Sequence, residues 1–144
     1  MKISAIQIKD ASGNVTRRRK AFIREGYGLG EHGKKDPERE ISLAGSDAAS
    51  WAQDHEGLCV RKFTADLVTD GLDYESLSAG DLLKAGSALI EIRSVGKRCF
   101  SECPVTDKPC PLGIHCAFGR VICGGEASEG DALERAGAVP EENR

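Results

Sequence analysis

Apolar and polar positions alternate in short runs along this chain, and few apolar stripes recur at helical spacing. Residues 2–9 (KISAIQIK) are isoleucine-rich with partial alternation and predict a first strand. Residues 21–24 and 41–44 predict two more short strands. Alternation is cleanest in Ala88–Val95 (ALIEIRSV), where Ala88, Ile90, Ile92 and Ser94 fall on one face and Leu89, Glu91, Arg93 and Val95 on the other. Residues 58–68 mix Cys59, Val60, Phe63 and Val68 with Arg61, Lys62 and Asp66, as suits a strand with one wet face. Residues 118–123 predict another strand, and Gly124-Gly125 predicts a hairpin turn after it. Ser46 is placed as the N-cap of a short helix over residues 47–55, with Trp51 as a core anchor and Gly57 ending it. Residues 72–77 predict one helical turn. Short strands at close spacing with one clear helix predict a mainly β fold: a closed or nearly closed β-barrel with one or two short helices.

Turn chemistry and composition refine this picture. Residues 10–14 (DASGN) form a turn by composition, and residues 25–36, with four glycines, form a loop. That loop lacks the strand–loop–helix context of a nucleotide fingerprint, so its reading is a loop at the barrel mouth. Two segments echo each other: Ser78-Ala79-Gly80-Asp81 before Leu82-Leu83, and Ser128-Glu129-Gly130-Asp131 before Ala132-Leu133. Each is a turn feeding an apolar segment, but the period is not sustained as in a repeat protein. Residues 1–133 are expected to form one domain, with residues 134–144 a frayed C-terminal tail. The 144 residues suffice for one core. A net charge of −3 gives no global case for nucleic acid, and no apolar run approaches a membrane span. Residues 1–10 lack the pattern of a signal peptide, so the expected compartment is the cytoplasm. The basic run Arg17-Arg18-Arg19-Lys20 reads either as a solvated strand edge or as an anion-steering rim.

Chemistry concentrates in residues 96–125. In a reducing compartment, six cysteines suit metal binding or catalysis better than structural disulfides. Cys99, Cys103, Cys110 and Cys116 are spaced as C-x3-C, C-x6-C and C-x5-C, and Pro104, Pro109, Pro111 and Gly113 make the stretch a loop. Cys99 comes directly after Lys97 and Arg98 at the end of the best strand. Adjacent cations stabilise a thiolate, the form that attacks sulfur, carries a persulfide or ligates a soft metal. A second reading is a zinc or iron–sulfur site on the loop cysteines, with His115 as a further ligand, although structural zinc favours closer C-x2-C or C-x4-C pairs. A third is that the thiols merely pack, which is the reading for Cys59 and Cys123 inside apparent strands. His55 reads as structural, at a helix C-terminus.

The ordered set of motifs resembles the MOSC family, the domain found at the C-terminus of molybdenum cofactor sulfurases, in its compact single-domain bacterial form. The glycine loop leading into Arg39-Glu40-Ile41-Ser42-Leu43 is similar to the family's Gly-Asp-x-His loop and its Arg-Gln-Val-Ser-Leu. Residues 63–72 (FTADLVTDGL) resemble Phe-x-Glu-Asn-Ile-Thr-Thr-x-Gly-Leu, with Ala65 and Asp66 in place of Glu and Asn. Ser78-Ala79-Gly80-Asp81 with Lys84-Ala85-Gly86 matches the turn before the central strand. Val95-Gly96-Lys97-Arg98-Cys99 and Cys103-Pro104-Val105 match the family's cysteine segment. Cys110-Pro111-Leu112-Gly113 and Phe118-Gly119-Arg120-Val121 match its final hairpin. Residues 113–117 depart from the family's Pro-Arg-Glu-Gly, so a basic group is replaced near Ile114-His115. The resemblance implies a β-barrel and a pterin-bound molybdenum cofactor. It also implies a persulfide-carrying or molybdenum-ligating role for Cys99, with Cys103 and Cys110 as secondary candidates. An anionic cofactor needs Arg and Lys donors, and the candidates are Arg39, Arg61, Lys97, Arg98 and Arg120. Sulfur transfer, reduction of an N-hydroxylated substrate and non-enzymatic carriage of the cofactor all remain open. Sulfur transfer would require a partner, such as a cysteine desulfurase or a recipient molybdoenzyme.

Overall fold

The computed structural model describes residues 1–9, 15–29, 40–53, 65–96 and 115–136. Among these residues the elements are β1 (Lys2–Lys9), β2 (Val15–Arg18), β3 (Lys20–Ile23), β4 (Ile41–Gly45), helix α1 (Ser46–Gln53), β5 (Leu67–Asp70), a 3-10 turn (Tyr74–Ser76), β6 (Leu82–Ala85), β7 (Ala88–Val95), β8 (Cys116–Cys123), β9 (Gly125–Ser128) and β10 (Leu133–Ala136). Eight strands form one sheet in the order β10-β6-β7-β8-β4-β5-β1-β2, and β3 pairs with β9 in a separate ribbon. Pairing is antiparallel throughout except for β4 and β5, which run parallel and have α1 in the connection between them. A parallel pair needs such a crossover because a tight turn cannot return the chain in the same direction.

The alternation read in β7 is the alternation observed. Ala88, Ile90 and Ile92 are buried and Leu89, Glu91 and Arg93 are half-buried, until a register shift between Ile92 and Ser94 ends the pattern. A second shift, between Ile3 and Ala5, turns both Ile3 and Ile6 into the core, where a regular strand would send them to opposite faces. The main core joins these isoleucines to Ile41, Leu43, Leu67, Leu83, Ile90 and Ile92. The other face carries a smaller cluster of Ala44, Ala65, Val68, Cys116 and Phe118, against which Ala49 of α1 packs.

The two echoing segments are built alike. In the first, the Ser78 N–H donates to Asp81 Oδ2 at 2.9 Å and the Asp81 N–H to the Ser78 carbonyl at 3.0 Å. In the second, the Ser128 N–H donates to Asp131 Oδ2 at 2.8 Å and the Asp131 N–H to the Ser128 carbonyl at 3.0 Å. Gly80 and Gly130 both have positive φ, +97° and +89°. Each turn then grips an isoleucine on a neighbouring strand. Gly80 donates to the Ile92 carbonyl and Ile92 to the Asp81 carbonyl, both at 2.7 Å. Gly130 donates to the Ile3 carbonyl at 2.7 Å and Ile3 to the Asp131 carbonyl at 2.9 Å.

Several expectations are corrected. The sheet curls into an open half-barrel and not a fully closed barrel. Among the described residues β1 meets the turn before β10 at 1–3 and 130–133, through three backbone hydrogen bonds and the Lys2–Ala132 bridge, and just past β2 the Arg19 carbonyl accepts from the Glu129 N–H at 2.8 Å. Farther along, β1 is occupied by β2 over Ile6–Lys9, which extends the sheet instead of closing it. Gly124-Gly125 is not a hairpin turn, because β8 lies between β7 and β4 while β9 pairs with β3. Those glycines serve close approach instead: a Cβ on Gly125 would meet the Ser87 backbone and stand 2.6 Å from the Ala88 nitrogen. Within residues 58–68 only 65–68 are described, and there the strand begins at Leu67 and is buried on both faces. Ser46 is the first residue of α1, and its hydroxyl donates to Asp70 Oδ1. The sheet continues to Ala136, so Glu134, Arg135 and Ala136 belong to β10. The turn expected at 10–14, the side chain of Trp51, and residues 54–57 and 137–144 lie outside the described positions. No helix among the described residues is long and apolar enough to cross a membrane.

Candidate functional site at the root of the cysteine loop

Residues 97–114 leave from the end of β7 and return into β8, which are neighbouring strands. The Gly96 N–H donates to the Cys116 carbonyl at 2.7 Å, joining the end of β7 to the start of β8. The Gly45 N–H donates to the His115 carbonyl at 3.0 Å, tying the returning arm to the start of α1. Loops held at both ends by a rigid scaffold are where reactive groups are best positioned.

At this root His115 Nδ1 lies 2.6 Å from Asp47 Oδ2. A carboxylate only accepts, so Nδ1 carries the proton and donates it. Asp47 sits in the first turn of α1, where the helix dipole favours a negative charge. It reaches His115 by folding over Gly45, where a Cβ would collide with Asp47 Oδ1. The other ring nitrogen, Nε2, faces Glu75 Oε1 at 3.8 Å.

Tyr74 packs beside the pair, its ring centroid 6.4 Å from that of His115. Its hydroxyl lies 2.6 Å from Thr69 Oγ1, and Thr69 Oγ1 in turn donates to the Ala44 carbonyl at 3.4 Å. Either hydroxyl can be the donor in the short bond. Burial pushes the Tyr74 phenol above its ordinary value of 10.0; the hydrogen bond with Thr69 opposes this, and Cys116 and Asp47 add to it.

The described groups meeting at the root are therefore acidic or neutral apart from His115: Asp47, Glu75 and, with Ser46, Asp70. No lysine or arginine among the described residues takes part in these contacts. On their own they do not fit an anionic pterin, so cations for such a ligand would come from the loop and its surroundings. Among the described residues, no group of three His, Cys, Asp or Glu side chains is arranged to hold a metal ion.

Of the residues singled out in the sequence, Cys99, Lys97, Arg98, Cys103, Cys110, Arg39, Arg61, Cys59 and His55 lie outside the described positions. Arg120 is exposed on β8 opposite Glu91, four positions and about 13 Å along the strand from Cys116. The structure does not bring it to the root. Cys116 is fully buried, at the root itself. Cys123 is exposed and does not pack in the core, because β8 ends there with its side chain on the wet face. Asp47, Glu75, Thr69 and Tyr74 carry no signal in the sequence alone. His115 had one, its place in the cysteine loop, but its partner is 68 residues away.

No family model and no curated protein matches the chain. Solved structures do. YiiM from Geobacillus stearothermophilus matches with a TM-score of 0.60 and 17% identity over 94% of this chain and 75% of its own. YiiM from Escherichia coli matches at 0.62 and 18%, over 98% and 72% respectively. The YuaD protein from Bacillus subtilis matches at 0.63 and 17%, over 92% and 93%. At these identities the likeness is one of fold: the chain has the fold of YiiM and YuaD.

Proposed function

We propose that this chain is a cytoplasmic MOSC-domain protein whose cysteine loop presents Cys99 as a working thiolate, for sulfur transfer or molybdenum ligation. The ordered motif set supports the family reading, as does the likeness in fold to YiiM and YuaD, which are MOSC-domain proteins. The observation that carries the site is the fastening of the loop root: Gly96 to Cys116 on one side, His115 to Asp47 and Gly45 on the other. A segment dense in cysteine and proline is thereby mounted on two paired strands and a helix start.

In the sulfur-transfer reading, the Cys99 thiolate attacks the outer sulfur of a donor's persulfide. The donor's S–S bond breaks, its thiolate leaves, and Cys99 holds the persulfide for an acceptor. Lys97 and Arg98 hold Cys99 in the anionic form. A molybdenum cofactor would be held by Lys97, Arg98, Arg39 and Arg61 through its anionic groups, and when bound would supply redox chemistry at the metal. Carriage of the cofactor without turnover is the alternative on the same residues, and a zinc or iron–sulfur module on the loop cysteines Cys99, Cys103, Cys110 and Cys116 is a further one.

The test is elemental and pterin analysis of the protein produced with cofactor synthesis intact, in wild type and Cys99→Ser. Molybdenum and pterin in the wild type, with loss of molybdenum in the variant, support the reading. Equal retention in both, or retention in neither, removes the molybdenum-binding role of Cys99. Stoichiometric zinc or iron supports the metal module instead.

A further inference from the structure

The basic run takes no part in the loop root. It lies where the chain leaves the large sheet and enters the two-stranded ribbon, and with Arg24 it places five basic side chains between residues 17 and 24. All four residues of β2 are exposed, and so are Arg19 and Lys20. On β3, Ile23 is fully buried and Ala21 packs against the core, so Lys20 and Phe22 face outward by strand alternation. Phe22 is 61% exposed, more than any other large apolar side chain described. Arg24 comes next, exposed, with its guanidinium 5.2 Å from the centre of the Tyr27 ring.

The backbone at both ends of β3 is already engaged. The Arg19 carbonyl accepts from the Glu129 N–H at 2.8 Å, and Arg24 exchanges two hydrogen bonds with Gly28, both at 2.9 Å. Between those ends β3 is paired with β9. What the strip presents to a partner is therefore its side chains. Glu129 accepts from Arg17 Nε at 2.7 Å, and Glu126 lies 3.0 Å from Lys20 Nζ. Arg18, Arg19 and Arg24 have no carboxylate partner among the described residues. Three guanidinium groups without an acid thus lie within four residues of one outward ring.

We propose that this strip rests on an anionic bilayer surface, with Arg18, Arg19 and Arg24 at the lipid headgroups and Phe22 entering the boundary with the acyl chains. The combination of charge and apolar ring decides the occupant. A guanidinium holds a phosphate through two parallel N–H donors. An outward aromatic ring gains from the apolar boundary directly beneath those phosphates. A bilayer supplies both at once. A single-stranded nucleic acid would stack its bases on several exposed rings, whereas Tyr27 is half-buried and Phe22 is the one exposed ring of the strip. An acidic polypeptide would find the charges but no free backbone at the ends of β3 to hold its register. The net charge of −3 makes the strip a local feature, so an anionic surface attracts this face and repels the rest. The attachment is reversible and lies on the membrane without spanning it. This surface stands or falls independently of Cys99.

The experiment is co-sedimentation of the full chain with vesicles of phosphatidylcholine alone and with roughly 30% phosphatidylserine added. Binding is expected to the mixed vesicles only, and to weaken with salt. Arg18→Gln/Arg19→Gln/Arg24→Gln should weaken it on the order of a hundredfold, at about fivefold per cation. Arg18→Lys/Arg19→Lys/Arg24→Lys keeps the charges and should keep most of the binding. Phe22→Ala should weaken it about tenfold. Phe22→Trp should show a blue-shifted emission on the mixed vesicles that the wild type, with Trp51 as its sole tryptophan, lacks. Should the triple Gln variant lose its fold, as judged by circular dichroism, the three single Gln variants are read in its place. Inorganic phosphate at constant ionic strength and a single-stranded thymidine oligonucleotide serve as competitors. No binding to the mixed vesicles, equal binding to the neutral ones, indifference to the arginines, no response at position 22, displacement by phosphate or tighter binding of the oligonucleotide would overturn the proposal.

Discussion

His115 Nδ1 and Asp47 Oδ2 stand 2.6 Å apart, joining the returning arm of the cysteine loop to the first turn of α1 across 68 residues of sequence. Because both side chains are partly exposed, at 30% and 59%, the pair contributes modestly to global stability. Its consequence is local. Asp47→Ala is expected to lower stability by about 0.5–1 kcal/mol. It should speed amide exchange at Gly45 and Gly96 more than at the core of β7. Equal acceleration everywhere would mean that the pair does not fasten the root.

Tyr74 links that root to the core and makes a pH-dependent prediction. Its phenol is raised in the folded protein relative to its ordinary value of 10.0, so the unfolded chain loses this proton first as pH rises. Stability from this group is complete below pH about 10 and declines above it. Denaturant unfolding from pH about 8 to about 11 should show the decline in wild type and a smaller one in Tyr74→Phe. At neutral pH the same substitution removes the bond to Thr69 and should cost about 1 kcal/mol.

Two glycines separate steric from conformational demand. Gly130 has a positive φ with open space around it, so Gly130→Ala should cost about 1–2 kcal/mol. Gly125 has an ordinary φ but would drive a Cβ into the Ser87 backbone, which cannot swing aside as a side-chain tip can. Gly125→Ala should cost more than Gly130→Ala, measured by the shift in denaturation midpoint. The reverse order would refute the close packing of β9 on the β6–β7 turn.

The twin turns are predicted to behave as matched units with one difference. Asp131→Ala removes the acceptor for the Ser128 N–H and should cost about 1 kcal/mol, with faster exchange at Ile3. Asp81→Ala removes the same kind of acceptor and also a contact at 2.8 Å to Arg135 of β10, so its cost should be somewhat larger. Exchange should then quicken at Ile92 and leave Ile3 unchanged.

These features differ in how far the sequence reveals them. β7 is legible because alternation is a local property, and its ends coincide with Ala88 and Val95. The Ser-x-Gly-Asp echo is visible as sequence, but its meaning is not: only the fold brings Ile92 to one turn and Ile3 to the other. Gly124-Gly125 misleads because the same residue pair serves a tight turn and a close backbone crossing. Cys123 misleads because a thiol between apolar neighbours suits a core position or the exposed end of a strand equally well. The MOSC motifs locate the loop by order along the chain. The root that supports it is assembled from residues 45–47, 69–75 and 115–116, and no short-range pattern joins those three.

Whether Cys99 is held as a reactive thiolate is decided by its alkylation rate against pH in native protein, read by peptide mass mapping with exposed Cys123 as internal standard. Cys99 is predicted to react faster than Cys123 at pH about 7 and to keep its rate at lower pH, where an ordinary thiol loses its own. Lys97→Gln/Arg98→Gln should erase that advantage. A Cys99 that reacts no faster than Cys123, or keeps its advantage without those two cations, would refute the thiolate assignment.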